Sequence, residues 1–375
     1  MKNSKKIIFL TGTRADFGKL KSLISIIQKD KSFEVFLFVT GMHMLSKYGN
    51  TYVEIEKSGF HNIHKFVNQN EGDSMDRILS KTINGFSDYV SKISPDFIVI
   101  HGDRIEAMAG AIVGSLNNIL TGHVEGGEVS GTIDEIIRHS VSKLSNTHFV
   151  ANKEAKKRLL QLGEKESCVH IIGSPDIDIM NSSNLPSLNE VKKRYDIFFD
   201  KYAIIIYHSV TTELNDIKRQ VNDLVEKVID STLNFVVIYP NNDPGSEIIL
   251  EDYKKFDDNN RFKIFPSMRF EYFLTLLKNS MFIIGNSSAG IREAPHFGVP
   301  SIDIGTRQNG RVKCDSIINI DVDSGDILSG INFAINYNKS KFKLFGSGNS
   351  ASKFRSLLIN KNFWNQKTQK KFVDL

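Results

Sequence analysis

Asp96–His139, DFIVIHGDRIEAMAGAIVGSLNNILTGHVEGGEVSGTIDEIIRH, places two apolar runs of strand length, Phe97 to Ile100 and Ile119 to Val124, on either side of a helix-length apolar segment, Glu106 to Leu116. That alternation is a βαβ unit. Its strands run parallel, its crossover is right-handed, and ligands collect where the strands' carboxyl ends open. Both runs end in ionisable residues: His101, Asp103 and Arg104 after the first, His123, Glu125 and Glu128 after the second. A carboxylate just after a strand also serves as an ordinary N-cap, and Asp103 alone fits either role. Glu125-Gly126-Gly127-Glu128 asks for more than a cap, because paired glycines admit close backbone approach or positive φ.

Working outward from this unit, 375 residues predict two domains of about 150–200 residues each. Only Cys168 and Cys314 are present, so there is no disulfide framework and no CxxC metal pattern, which points to a reducing, cytoplasmic setting. The apolar core of the N-terminus, Ile7 to Leu10, is far shorter than a signal-peptide h-region, and no run approaches the ~20 residues of a membrane span. The net charge of +5 is carried by lysines dispersed over helical segments such as KEAKKRLL, a pattern of solvated faces rather than of nucleic-acid binding.

Strands and helices alternate throughout, which predicts doubly wound α/β domains. Lys5 to Thr11 is a strand that empties into Gly12-Thr13-Arg14-Ala15-Asp16-Phe17-Gly18 ahead of a helix over Leu20 to Gln28. A helix start after a glycine turn favours anions, and Arg14 offers a fork to a phosphate. The segment is neither GxGxxG nor a Walker A loop, and it supports no nicotinamide or ATP cofactor. Gly173-Ser174-Pro175-Asp176 is the first strong break, which divides the chain into residues 1–175 and 176–375, with the final helix, Ser350 to Ile359, free to pack back on the first domain.

In the second half, the strand Tyr202 to Tyr207 ends at His208, and Phe235 to Tyr239 ends at Pro240-Asn241-Asn242-Asp243. Met281 to Ile284 empties into Gly285-Asn286-Ser287-Ser288-Ala289-Gly290, ahead of Arg292 and Glu293. Hydroxyls and backbone N–H groups at a helix start suit a phosphate, although an ordinary N-cap explains Ser287 and Ser288 equally well. Ser301 to Ile304 reads as the last core strand, and its loop carries Arg307 and Arg311. Two similar halves with facing strand ends would form a cleft, one side presenting carboxylates and the other phosphate-binding groups.

Taken together and in this order, GTRADFGK, HGDR, HVEGGEVSGTIDEIIRH, HSVTTE, YPNND, GNSSAGIREA and GTRQNGR resemble the hydrolysing UDP-N-acetylglucosamine 2-epimerases, which make N-acetylmannosamine and UDP at the start of sialic acid synthesis. The resemblance implies two Rossmann-like domains facing across a cleft in the glycosyltransferase B manner, no metal, no bound nicotinamide and a homo-oligomer, dimer or tetramer. The interconverting branch of the family tends to read VEAGLRTGD where this chain reads VEGGEVSGTID, which favours the hydrolysing branch. Carried residue by residue, it implies Asp103, Glu125 and Asp134 as proton-handling carboxylates and His208 against the phosphates. It further implies Arg14, Asp16, Arg104, Asn241, Ser287, Ser288 and Arg307 around the UDP, with Glu293 on the ribose hydroxyls. The chain departs from many relatives at Ser209, where they carry proline, and at Gly18, where some carry serine. Three readings compete: the same chemistry on UDP-N,N′-diacetylbacillosamine, a glycosyltransferase on the same scaffold, and a noncatalytic nucleotide-sugar sensor.

Overall fold

The computed structural model of the chain describes residues 4–70, 72–130, 132–321 and 326–373. It divides into two compact units, the first running to Glu128 and comprising also Asp134–Ser182 and the chain from Phe345 on, the second Val129–Ile133 and Ser183–Leu344.

The first unit holds a seven-stranded sheet: β1 (Lys5–Thr11), β2 (Phe33–Val39), β3 (Ile63–Lys65), β4 (Phe97–His101), β5 (Leu120–Val124), β6 (Thr147–Val150) and β7 (Val169–Ile171). Its order is β3-β2-β1-β4-β5-β6-β7 and every pair is parallel. The order reverses beside β1, so the loops after β1 and β4 diverge at a switch point of the kind where α/β sheets take ligands. Strands buried on both faces need unbroken apolar runs, and Ile7, Ile8, Phe9 and Phe97 through Ile100 are all fully buried.

The second unit repeats the plan with β8 (Ala203–Ile206), β9 (Phe235–Ile238), β10 (Phe262–Phe265), β11 (Ile283–Gly285), β12 (Ser301–Ile304) and β13 (Ile317–Ile320), ordered β10-β9-β8-β11-β12-β13 and all parallel. The fold class is the doubly wound α/β arrangement expected from the alternation of elements. Two short strands escaped the sequence pattern. β3 spans three residues, and β13 follows Ser301–Ile304, which therefore is not the last strand of its sheet.

The crossing between units follows Ser182 rather than residue 175. Gly173-Ser174-Pro175-Asp176 does not open a linker: Ser174 is the N-cap of helix Pro175–Met180, with proline in its first turn, where the missing N–H costs nothing. Asp178 of that helix accepts hydrogen bonds from the N–H groups of Ser350 (2.9 Å) and Ala351 (2.7 Å), which ties helix Ser350–Ile359 to the first unit. Phe354, Leu358 and Phe363 then enter the first core, where the Phe354 ring meets Phe149 edge-on at 4.7 Å, a pairing of about 1 kcal/mol beyond its burial.

Candidate active site

Thr13 caps helix Arg14–Gln28 by accepting the N–H of Asp16, so the helix begins six residues earlier than its apolar pattern suggests. Asp16 folds back: its Oδ2 accepts from the Gly12 N–H (2.8 Å) and the Thr11 hydroxyl (3.0 Å), while Oδ1 lies 3.7 Å from His101 Nδ1. Burial pushes the Asp16 carboxyl above its ordinary range, against the pull of His101 and of the Gly12 and Thr11 bonds. The structure therefore shows Asp16 bracing the loop from within. Arg14 Nη2 bonds Glu54 at 2.7 Å.

On the other ring edge, His101 Nε2 lies 3.1 Å from Glu125 Oε2. Glu125 adopts φ +65°, which turns its side chain out of the strand direction, and its Oε1 accepts from the Ser174 hydroxyl. Lys19, one helical turn beyond Asp16, reaches in with its ammonium 3.7 Å from Glu125 Oε2 and 3.7 Å from Asp176 Oδ2. All of these side chains are withdrawn from water, so their interactions escape much of the screening that weakens surface pairs.

Asp103 has a different partner. Its Oδ2 accepts from Arg138 Nη2, and Arg138 is 1% exposed, with Nη1 on the Glu128 carbonyl (3.2 Å). Burial works against the Arg138 charge, but Asp103, Glu128 and Asp134 outweigh it and hold the guanidinium above its ordinary value. Asp134, in the first turn of helix Ile133–Leu144, thus joins Asp103 through the same cation. Register places the sources of Asp103 and Glu125 side by side: His101 pairs with Val124, and the Gly102 N–H donates to the Val124 carbonyl at 3.0 Å. Gly131 of this motif lies outside the described residues.

Arg104 is the N-cap of helix Ile105–Leu116, with Nε 4.0 Å from Glu106 Oε2. Glu106, 1% exposed, packs so close to Gly12 and Gly41 that a Cβ on Gly41 would sit 2.6 Å from its Oε1.

In the second unit, Asn286 organises the strand ends. Its Oδ1 accepts the His208 N–H (2.7 Å) and its Nδ2 donates to the His208 carbonyl (2.8 Å). Its own carbonyl accepts from Arg307 Nη1 (3.3 Å) and Gln308 Nε2 (2.8 Å). The Asn241 N–H donates to His208 Nδ1 at 3.0 Å, so in the neutral ring the proton sits on Nε2 and that nitrogen is a donor. Ser287 caps the turn Ser288–Ile291 through the Ala289 N–H, and Glu293 and Arg292 are both buried just beyond it.

The structure thus gathers Asp16 and Glu125 around His101 and Lys19, joins Asp103 and Asp134 through Arg138, and sets His208, Asn241, Asn286 and Arg307 in one hydrogen-bonded group. Lys19, Arg138, Ser174 and Asp176 were given no role in the site from the sequence, while His101 and Asn286 were noted there only for their places at strand ends. Among the described residues no group of three or more His, Cys, Asp or Glu side chains is placed to hold a metal, and no helix is long and apolar enough to cross a membrane.

Known proteins extend these observations. The chain is 47% identical over 375 residues, 99% of both chains, to a UDP-N-acetylglucosamine 2-epimerase of Neisseria meningitidis serogroup B. It is 34% identical to the UDP-N,N′-diacetylbacillosamine 2-epimerase (hydrolyzing) of Legionella pneumophila, covering 94% of this chain and 95% of that one. Among solved structures, the UDP-GlcNAc 2-epimerase of Methanocaldococcus jannaschii in complex with UDP-GlcNAc and UDP superposes with a TM-score of 0.79, covering 94% of this chain and 99% of that chain at 20% identity. A likeness at that identity speaks for the glycosyltransferase-B-like α/β fold alone. The family model described as UDP-N-acetylglucosamine 2-epimerase matches residues 25–359, and with the 47% identity to the Neisseria protein this settles the family: the chain belongs to the UDP-N-acetylglucosamine 2-epimerase family.

Proposed function

We propose that this protein is a hydrolysing 2-epimerase that converts UDP-N-acetylglucosamine and water to N-acetylmannosamine and UDP. The observation that carries the reading is the pair of carboxylates, Asp103 and Glu125, leaving adjacent strands β4 and β5, each beside a buried cation, Arg138 and Lys19. Sugar transfer and simple nucleotide-sugar sensing have no use for such a pair. Proton removal and return at carbon require one.

The hydrogen on C2 of the hexose is scarcely acidic and leaves only as the C1–O bond to UDP breaks. In the proposed sequence a carboxylate takes the C2 proton, the C–H electrons become the C1=C2 double bond of 2-acetamidoglucal, and the C1–O electrons depart with UDP. An acid on the opposite face then returns a proton to C2 while water adds its oxygen to C1, which inverts C2 and frees the sugar. Asp103, Glu125 and Asp134 are the groups assigned to the proton steps, each such step being worth roughly 10²–10⁴ in rate. His208, a donor through Nε2, and Arg307 are assigned to the diphosphate, where preorganised donors stabilise the charge that grows as UDP leaves. Ser287, Ser288, Asn241, Arg14, Asp16 and Arg104 complete the assignment around the nucleotide, and Glu293 would accept the ribose hydroxyls.

The Legionella relative favours one second reading, the same reaction on UDP-N,N′-diacetylbacillosamine, which differs at C4 and C6 of the hexose. The higher identity to the Neisseria protein supports UDP-N-acetylglucosamine. The test offers each nucleotide sugar without any acceptor and follows UDP release and the free sugar. N-acetylmannosamine from UDP-N-acetylglucosamine supports the reading, release only from the bacillosamine substrate moves it to the second, and no release from either overturns both.

A further inference from the structure

Three elements carry the carboxylates assigned above, the turn after β4, the end of β5 and helix Ile133–Leu144, and one buried side chain on β5 bonds the other two. We propose that His123 is a positioning residue for the reaction, fixing Asp103, Glu125 and Asp134 relative to one another by hydrogen bonds that cross between their elements. The inference rests on the functional reading just given.

His123 lies on β5, two residues before Glu125, and is 0% exposed. Its Nε2 is 2.8 Å from the Gly102 carbonyl oxygen, which only accepts, so the proton is on Nε2. Nδ1 then accepts from the Ser142 hydroxyl at 2.9 Å. The Gly102 carbonyl and the Asp103 nitrogen share one planar peptide, so holding that carbonyl sets the orientation from which the Asp103 side chain departs. The Gly102 N–H is held as well, by the Val124 carbonyl at 3.0 Å, which leaves the turn with φ +74° pinned on both sides. At the other nitrogen, Ser142 belongs to the helix that carries Asp134 in its first turn and Arg138, the partner of Asp103, one turn on.

Three further features agree with this role. A Cβ on Gly126 would fall 2.8 Å from His123 Nδ1 and 2.8 Å from Ser142 Oγ, so the first glycine after Glu125 leaves room for that bond. Burial, opposed by the bond to Gly102, lowers the His123 imidazole to about 3, which keeps Nδ1 an acceptor through the whole neutral range. Behind the helix, Lys370 donates to the Ser142 carbonyl (3.3 Å) and the Ser145 carbonyl (2.8 Å), which steadies the end that holds the serine.

A histidine that only filled space would lower stability on replacement without a selective effect on turnover. A positioning histidine lowers kcat and spares binding, because misplacement by about 1 Å costs on the order of 10²-fold in rate. The experiment compares the full-length chain with His123→Leu, His123→Gln and Ser142→Ala, measuring kcat and KM on UDP-N-acetylglucosamine, UDP affinity and thermal unfolding. The expected result is a kcat about 10²-fold lower in His123→Leu with KM and UDP affinity within about twofold. His123→Gln, whose amide restores the donor to Gly102, is expected to recover about tenfold of that loss, and Ser142→Ala to lose a smaller factor of about three to ten. A folded His123→Leu with wild-type kcat overturns the inference. Where that variant fails to fold, wild-type kcat in both His123→Gln and Ser142→Ala overturns it instead. A wild-type chain that releases no UDP from either sugar sinks the functional reading itself, a result distinct from all of these.

Discussion

The Lys19 ammonium lies 3.7 Å from Glu125 Oε2, its side chain 10% exposed against 7% for the glutamate, and Asp176 Oδ2 stands the same 3.7 Å from it. One buried cation therefore serves two buried carboxylates. Removing it takes the ammonium from beside both, and breaking a buried ion pair by removing one partner costs about 3–5 kcal/mol. Lys19→Met is expected to lower the unfolding midpoint markedly and to depress kcat by more than about tenfold, since Glu125 would then favour its protonated form. Differential scanning calorimetry and initial rates check this, and wild-type values in both would show that the pair is ornamental.

Asp103→Asn keeps the shape of the side chain and removes its ability to exchange a proton. Turnover is expected to fall by about 10³-fold or more while UDP affinity changes by less than about threefold. Calorimetric titration with UDP beside a rate assay separates the two quantities. Undiminished activity would take Asp103 out of the chemistry.

Buried histidines predict the acid limb of stability. Burial lowers both His43 and His123 from 6.5 to about 3, and His148 is also lowered, again first by burial. Below pH 6.5 the unfolded chain takes up protons that the folded chain refuses, so stability is full above that pH and declines as pH falls toward 3. The slope is about 1.4 kcal/mol per pH unit for each such histidine. Urea midpoints between pH 8 and pH 5 should fall steadily below 6.5, and a flat profile would contradict the neutral assignments.

Asp303, 2% exposed on β12, is pushed up to about 7 by burial against the pull of Arg307 and Arg311. A diphosphate drawing Arg307 away would raise it further, so UDP binding should take up a proton near pH 7 and weaken as pH rises through that value. Asp303→Asn is expected to remove this component of the pH dependence. Parallel wild-type and variant slopes would rule out the coupling.

Gly285 has φ +136°, and a Cβ there would meet the Ile206 carbonyl oxygen at 2.0 Å. The contact is backbone to backbone between β11 and β8, so nothing can rotate away. Gly285→Ala is expected to cost at least about 3 kcal/mol and to loosen the His208–Asn286 pairing. A thermal melt within a degree or two of wild type would contradict it.

The strand runs and the carboxylates at their ends were legible because burial on both faces demands continuous apolar sequence and because Glu125-Gly126-Gly127 departs from cap chemistry. β3 and β13 were not: Ile63–Lys65 holds a single apolar residue, and Asn319 interrupts the apolar run of Ile317–Ile320. The partners of Glu125 were hidden for another reason. Ser174 and Glu125 are 49 residues apart, and Arg138 and Asp103 are 35 apart, distances that only the folded sheet closes. Ser174-Pro175-Asp176 read as a break because proline marks helix starts and linkers alike.

The most direct test is turnover of UDP-N-acetylglucosamine in heavy water, with the sugar product examined by NMR. The account predicts free N-acetylmannosamine carrying one deuterium at C2, together with one UDP. A product that retains its original C2 hydrogen, or that keeps the gluco configuration, would contradict it.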